Sequence, residues 1–97
     1  MVEKEFGRAL RALRLSRNLS QQDFTSVITR EHLSRLERGL SQPNLALVRH
    51  LASVLKIHPL SLLTLAFHRA DDSETLKNLF KQIEADLTNV HSPKDDG

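Results

Sequence analysis

Leu19-Ser20-Gln21-Gln22-Asp23-Phe24, followed by Leu33-Ser34-Arg35-Leu36-Glu37-Arg38-Gly39, are the runs that decide how this chain folds. Ser20 and Asp23 stand three apart, the spacing of a Ser-x-x-Glu capping box with the shorter acid, and so mark a helix start. Phe24, Val27 and Ile28 then supply an apolar face, which predicts a second helix over residues 21–27. Thr29 has the side chain of an N-cap. Leu33 and Leu36 are three apart on the helix that follows, and Gly39 ends it. Two short helices joined by a tight turn are therefore expected at the centre of the chain.

The same period extends outward. Phe6, Ala9, Leu10 and Leu13 predict a first helix over residues 3–17, with Asn18 as a residue that tolerates the left-handed turn at its end. Ser41, Gln42, Pro43 and Asn44 read as a loop whose last member caps a fourth helix carrying Leu45, Val48, Leu51, Ala52 and Leu55. His58 precedes Pro59, which suits the first position of a fifth helix with Leu60, Leu63 and Phe67 on its apolar side. Arg69–Ser73 is a polar break. Asp72 or Ser73 caps a sixth helix with one long stripe: Leu76, Leu79, Phe80, Ile83, Leu87 and Val90. His91–Gly97 reads as a disordered polar tail. No useful run alternates with period two, so the expected class is all-α.

Charge divides the chain. Residues 1–56 carry ten Lys or Arg, eight of them Arg, against five acids, a net of +5, while residues 57–97 carry −3. A basic first half beside an acidic second half points to a polyanion-binding part and a part with another task. Cysteine is absent, which excludes disulfides and thiolate metal sites and fits a reducing cytoplasm. His32, His50, His58, His68 and His91 never stand four apart, so no metal or cofactor is expected. With no Gly-rich phosphate loop and no catalytic constellation, neither an enzyme nor a small-molecule binder is expected. No apolar run reaches the roughly 18–20 residues of a membrane span, and the charged start argues against a signal peptide.

The series from Leu19 to Leu55, including Pro43-Asn44-Leu45 and Leu51-Ala52-Ser53-Val54-Leu55, resembles the phage-repressor family, the Cro/CI or XRE-type helix-turn-helix proteins. With the Phe6–Arg14 helix before it and Pro59–Leu63 after it, the likeness covers about two-thirds of the chain. It implies a five-helix lambda-repressor-like DNA-binding domain over residues 1–68, with the C-terminal helix, 72–90, as an addition. Between Leu19 and Gly39 the chain is about two residues shorter than the family pattern, and the usual small residue between Val27 and Thr29 is missing.

The resemblance also implies roles. Base reading falls on Arg30, Glu31 and Arg35, with His32 and Ser34 beside them. Arg grips guanine O6 and N7 with two hydrogen bonds, and Glu accepts from the cytosine amino group. Phosphate contacts fall on Gln21, Thr29, Arg38, Ser41, Gln42 and Asn44, which set register rather than sequence. Arg14 and Glu37 match a pair that ties the first helix to the third. Arg8, Arg11 and Arg17 are read as a solvated basic face.

The implied function is a cytoplasmic, bacterial or phage-encoded transcriptional regulator, a repressor that binds a near-palindromic operator in double-stranded DNA. Leu76, Ile83 and Val90 are seven apart, the spacing of a helix–helix seam, so the last helix is expected to form a homodimer rather than cap the core. The rival reading is a protein-interaction module, antitoxin-like or polymerase-binding, with a degenerate helix-turn-helix.

Overall fold

A computed structural model describes residues 2–68 and 73–90. Five α-helices and one 3-10 turn follow one another, with no strand among the described residues. They are α1 (Val2–Ser16), the 3-10 turn (Gln21–Phe24), α2 (Arg30–Glu37), α3 (Leu45–Leu55), α4 (Pro59–Phe67) and α5 (Ser73–Thr88). The all-α expectation holds. The tail, residues 91–97, and the capping position Asp72 lie outside the described residues.

The helix starts follow local chemistry. Thr29 accepts from the His32 N–H at 3.1 Å, and Asn44 Oδ1 accepts from the Leu47 N–H at 2.7 Å. His58 Nδ1 accepts from the Leu60 N–H at 3.0 Å, ahead of Pro59. Each satisfies a donor that the first turn leaves without an intrahelical partner. Three helices end alike. Asn18, Gly39 and Lys56 adopt left-handed φ values of 58°, 75° and 59°. The next N–H in each case reaches back five residues: Leu19 to Arg14 O at 3.0 Å, Leu40 to Arg35 O at 2.9 Å, and Ile57 to Ala52 O at 3.0 Å. These are Schellman closures, with glycine at only one of the three.

One expected element differs. The second helix does not run over 21–27; it is a single 3-10 turn that stops at Phe24. Its start is as read, since the Ser20 N–H donates to the Asp23 carboxylate at 2.7 Å. The Phe24 carbonyl then receives both Val27 N–H and Ile28 N–H at 3.0 Å, which folds the chain back at once. Phe24 and Ile28 are thereby buried with Thr29 free to begin α2. The shortened segment has no residues left for a second full turn.

Phe6, Leu10, Phe24, Leu33, Leu36, Leu51, Leu55 and Leu62 form one core among α1–α4. Within it, α1 packs on both α4 and α2. At its crossing with α2, Gly7 permits an approach that a side chain would block, because a Cβ there would lie 2.7 Å from Glu37 O. The buried face of α4 is Leu62 and Ala66, with Leu63 only half-buried, whereas Leu60 and Phe67, expected on the apolar side, are exposed. That helix is apolar nearly all round, so its period does not choose a face.

The last helix adds nothing to this core. Its Leu76 and Phe80 border a cavity against His58, the cap of α4, and Leu60, Ser61 and Thr64 within it, and residues 81–88 are exposed throughout. The radius of gyration, 15.6 Å, exceeds the roughly 12.5 Å of a compact chain of this length. No single helix among the described residues is long and apolar enough to cross a membrane.

Candidate nucleic-acid interface

α2 presents its charged side outward. Arg30, Glu31, Arg35 and Arg38 are exposed, while Leu33 and Leu36 are fully buried beneath them. The exposed side chains project from a helix held at both ends, by the Thr29 cap and by the Gly39 closure. Arg38 Nε donates to Ser34 O at 3.4 Å, a weak contact that leaves its other donors available. His32 and Ser34 are half-buried, and His32 Nε2 lies 3.3 Å from Ser41 Oγ. This contact links the exposed side of α2 to the loop before α3.

Behind this surface lies a buried ion pair. Arg14 Nε and Nη2 donate to Glu37 Oε2 and Oε1 at 2.6 and 2.9 Å, a bidentate fork. Arg14 Nη1 donates to Leu19 O at 3.1 Å. The hydrogen bond to Glu37 raises the Arg14 pKa above its ordinary value despite the cost of burial. The pair joins α1 to the end of α2 and the chain just before the 3-10 turn, so it sets the angle at which α2 is displayed.

The expected phosphate-contacting residues divide by how much capacity they retain. Gln21 is half-buried, and its Nε2 donates to Glu37 Oε1 at 3.3 Å, so it extends the ion pair. One amide hydrogen remains for an outside acceptor. Thr29 and Asn44 use their oxygens as caps but keep a hydroxyl proton and an amide NH2 facing solvent. Gln42 donates to Glu3, which holds that carboxyl below the usual carboxylate range. Ser41 is half-buried against His32.

Sequence reading missed one member of this surface. A shallow concavity between the starts of α2 and α3 is bordered by Thr29, His32, Asn44 and His50. His50 is exposed and lies six positions beyond the Asn44 cap. No sequence spacing relates it to His32, because the two histidines come to border one concavity only when the helices pack. Of the solvated arginines, Arg8 pairs with Glu5, while Arg11 and Arg17 are exposed. Among the described residues, no three His, Cys, Asp or Glu side chains converge as a metal site.

Comparison with known proteins agrees with the fold. A model of a helix-turn-helix family matches residues 10–62. Two solved structures of the clp gene regulator ClgR from Corynebacterium glutamicum share the fold. One is 21% identical at a TM-score of 0.66, covering 72% of this chain and 94% of its own. The other is 19% identical at 0.67, covering 89% of this chain and 94% of its own. No curated protein sequence matches the chain.

Proposed function

Since the chain belongs to the XRE-type, phage-repressor-like helix-turn-helix family, we propose that it is a DNA-binding transcriptional regulator whose recognition helix is α2. The observation that carries this reading is the exposed Arg30–Arg35 side of a helix pinned from behind by Arg14 and Glu37. A helix fits the major groove, and residues near its start reach base edges. Arg30 and Arg35 then read guanines, Glu31 reads a cytosine amino group, and His32 and Ser34 adjust the fit. Arg38, Ser41, Asn44, Thr29, Gln21 and Gln42 hold the phosphates on either side.

The finer reading is a cytoplasmic repressor that acts as a homodimer on a near-palindromic operator. Two recognition helices must reach half-sites about 34 Å apart, and α5 is the element with an apolar face to join two copies. Selection of bound duplexes from a random pool, read by sequencing, tests it. Enrichment of an inverted repeat with G·C pairs in each half supports the proposal. Enrichment of single half-sites would remove the dimer, and no enrichment at low salt would remove the DNA reading.

A further inference from the structure

The concavity between the starts of α2 and α3 encloses about 450 Å³, and its border carries no carboxylate, lysine or arginine. Its polar groups are Thr29, His32, Asn44 and His50, and the rest of the lining is apolar. The titratable neighbours on the elements around it do not line it: Arg30, Glu31 and Arg35 on α2, Arg49 on α3, Asp23 of the 3-10 turn, and His58 ahead of α4. The Asp23 carboxylate is in addition taken by the Ser20 N–H. The site therefore has no charge while both imidazoles are neutral, and gains one positive charge with each proton they take up. Two of the backbone N–H groups at these helix starts are already occupied, that of His32 by Thr29 and that of Leu47 by Asn44. Recognition of a ligand here falls to side chains.

We propose that His50 and His32, with Thr29 and Asn44, bind a backbone phosphate of duplex DNA, and that this contact takes up a proton from solvent as it forms. This rests on the DNA-binding reading of α2, and adds to it a phosphate-binding residue, His50, and a dependence on pH. Position favours a phosphate over a base. The concavity begins at Thr29, one residue before Arg30, and continues onto α3, so it flanks the side of α2 assigned to base edges. Its chemistry also matches. Thr29 and Asn44 keep a hydroxyl proton and an amide NH2 to donate, and no fixed negative charge on the border repels an anion. An apolar lining screens a charge pair less than open water does.

The two rings are set up to change protonation without breaking the fold. His32 Nε2 lies 3.3 Å from Ser41 Oγ, and a hydroxyl can donate or accept, so this contact survives in either state of the ring. When His32 is protonated, Nε2–H donates to Ser41 Oγ, Nδ1–H is a further donor, and the Ser41 hydroxyl proton is released for an outside acceptor. The His50 ring is exposed and has no hydrogen-bond partner among the described residues. Histidine is the side chain whose ordinary titration falls between about pH 5 and 8. A phosphate beside an imidazole favours its charged form and so raises its pKa in a complex. The gain in affinity is fully present below the free-state value and is lost as pH rises through the bound-state value.

Anisotropy titrations of the full chain on a mixed-sequence duplex of about 20 base pairs, labelled with a pH-insensitive dye, test this at about pH 8 and about pH 6 over several salt concentrations. A mixed sequence suffices because phosphate contacts are made on any duplex. Affinity should rise roughly 5-fold or more at the lower pH, with a salt slope steeper by about 1. His50→Gln, a change at an exposed position, should remove much of that gain and leave affinity at about pH 8 unaltered. His50→Lys keeps its charge at both pH values and should bind tightly at both, a rescue that a purely structural histidine would not show. A double variant, His32→Gln with His50→Gln, that keeps the whole pH dependence would place the proton elsewhere in the chain and overturn the proposal. Equal affinity of the unaltered chain at both pH values would also overturn it, while leaving the DNA-binding reading intact. Failure to bind any duplex at low salt at either pH removes both readings.

Discussion

Arg14 and Glu37, 23 residues apart in sequence, form a two-pronged ion pair with side chains only 10% and 4% exposed. The Leu19 carbonyl and the Gln21 amide complete its hydrogen bonds. A buried pair of this kind need not add net stability, because desolvation offsets the attraction. What it fixes is geometry, since α2 cannot rotate against α1 without breaking the fork. Arg14→Ala should cost about 3–5 kcal/mol by stranding Glu37. Replacing both residues together with Met and Leu should recover most of the loss. Urea unfolding followed by circular dichroism measures both. A double variant as unstable as the single one would refute the account.

Arg35 and Arg38 are both exposed on α2 but are assigned different tasks. Arg35→Ala should lose about 1–3 kcal/mol on the selected operator and relax preference at one guanine step. Arg38→Ala should weaken all duplexes alike and reduce the salt slope by about 1. Titrations at several salt concentrations, on specific and random duplexes, separate these outcomes. Equal loss on both duplexes for Arg35→Ala would reassign it to phosphate.

Gly7 lies where α1 crosses the last turn of α2, and an added Cβ would meet the backbone oxygens of Leu36 and Glu37. Backbone cannot move aside as a flexible side chain can. Gly7→Ala should therefore destabilise the fold by about 1–3 kcal/mol, despite alanine's better helix propensity. Thermal melting checks the sign. A gain in stability would mean that the crossing is looser than described.

Lys56 closes α3 at a φ of 59°, where a β-carbon is unfavourable. Lys56→Gly should raise stability by roughly 0.5–1 kcal/mol, the opposite of glycine's usual effect inside a helix. The midpoint of denaturant unfolding should rise with an unchanged slope. DNA affinity should not change.

Much of the fold was legible because helix ends are written in local chemistry. Thr29, Asn44 and His58-Pro59 act on donors two or three residues away, so sequence alone located these starts. Asn18 and Gly39 marked ends by the backbone conformation they tolerate, and Lys56 did not, because nothing in its side chain announces a left-handed residue. The arginine-bearing side of α2 followed from Leu33 and Leu36, which fix the opposite side of a single helix.

Sequence by itself thus determined where most helices begin and end, that they are helices, and which side of α2 faces outward. Tertiary packing decided the rest. It reduced the second helix to one turn at Phe24, chose Leu62 and Ala66 as the buried side of an α4 that is apolar all round, and made Gly7 a crossing point. It also set His50 and His32 on the border of one concavity, and assembled a groove from residues as distant as Val2 and Phe67. The reason is range. Capping bonds act over a few residues of one strand of chain, whereas burial depends on which faces meet, and that is set by contacts between segments far apart in the sequence.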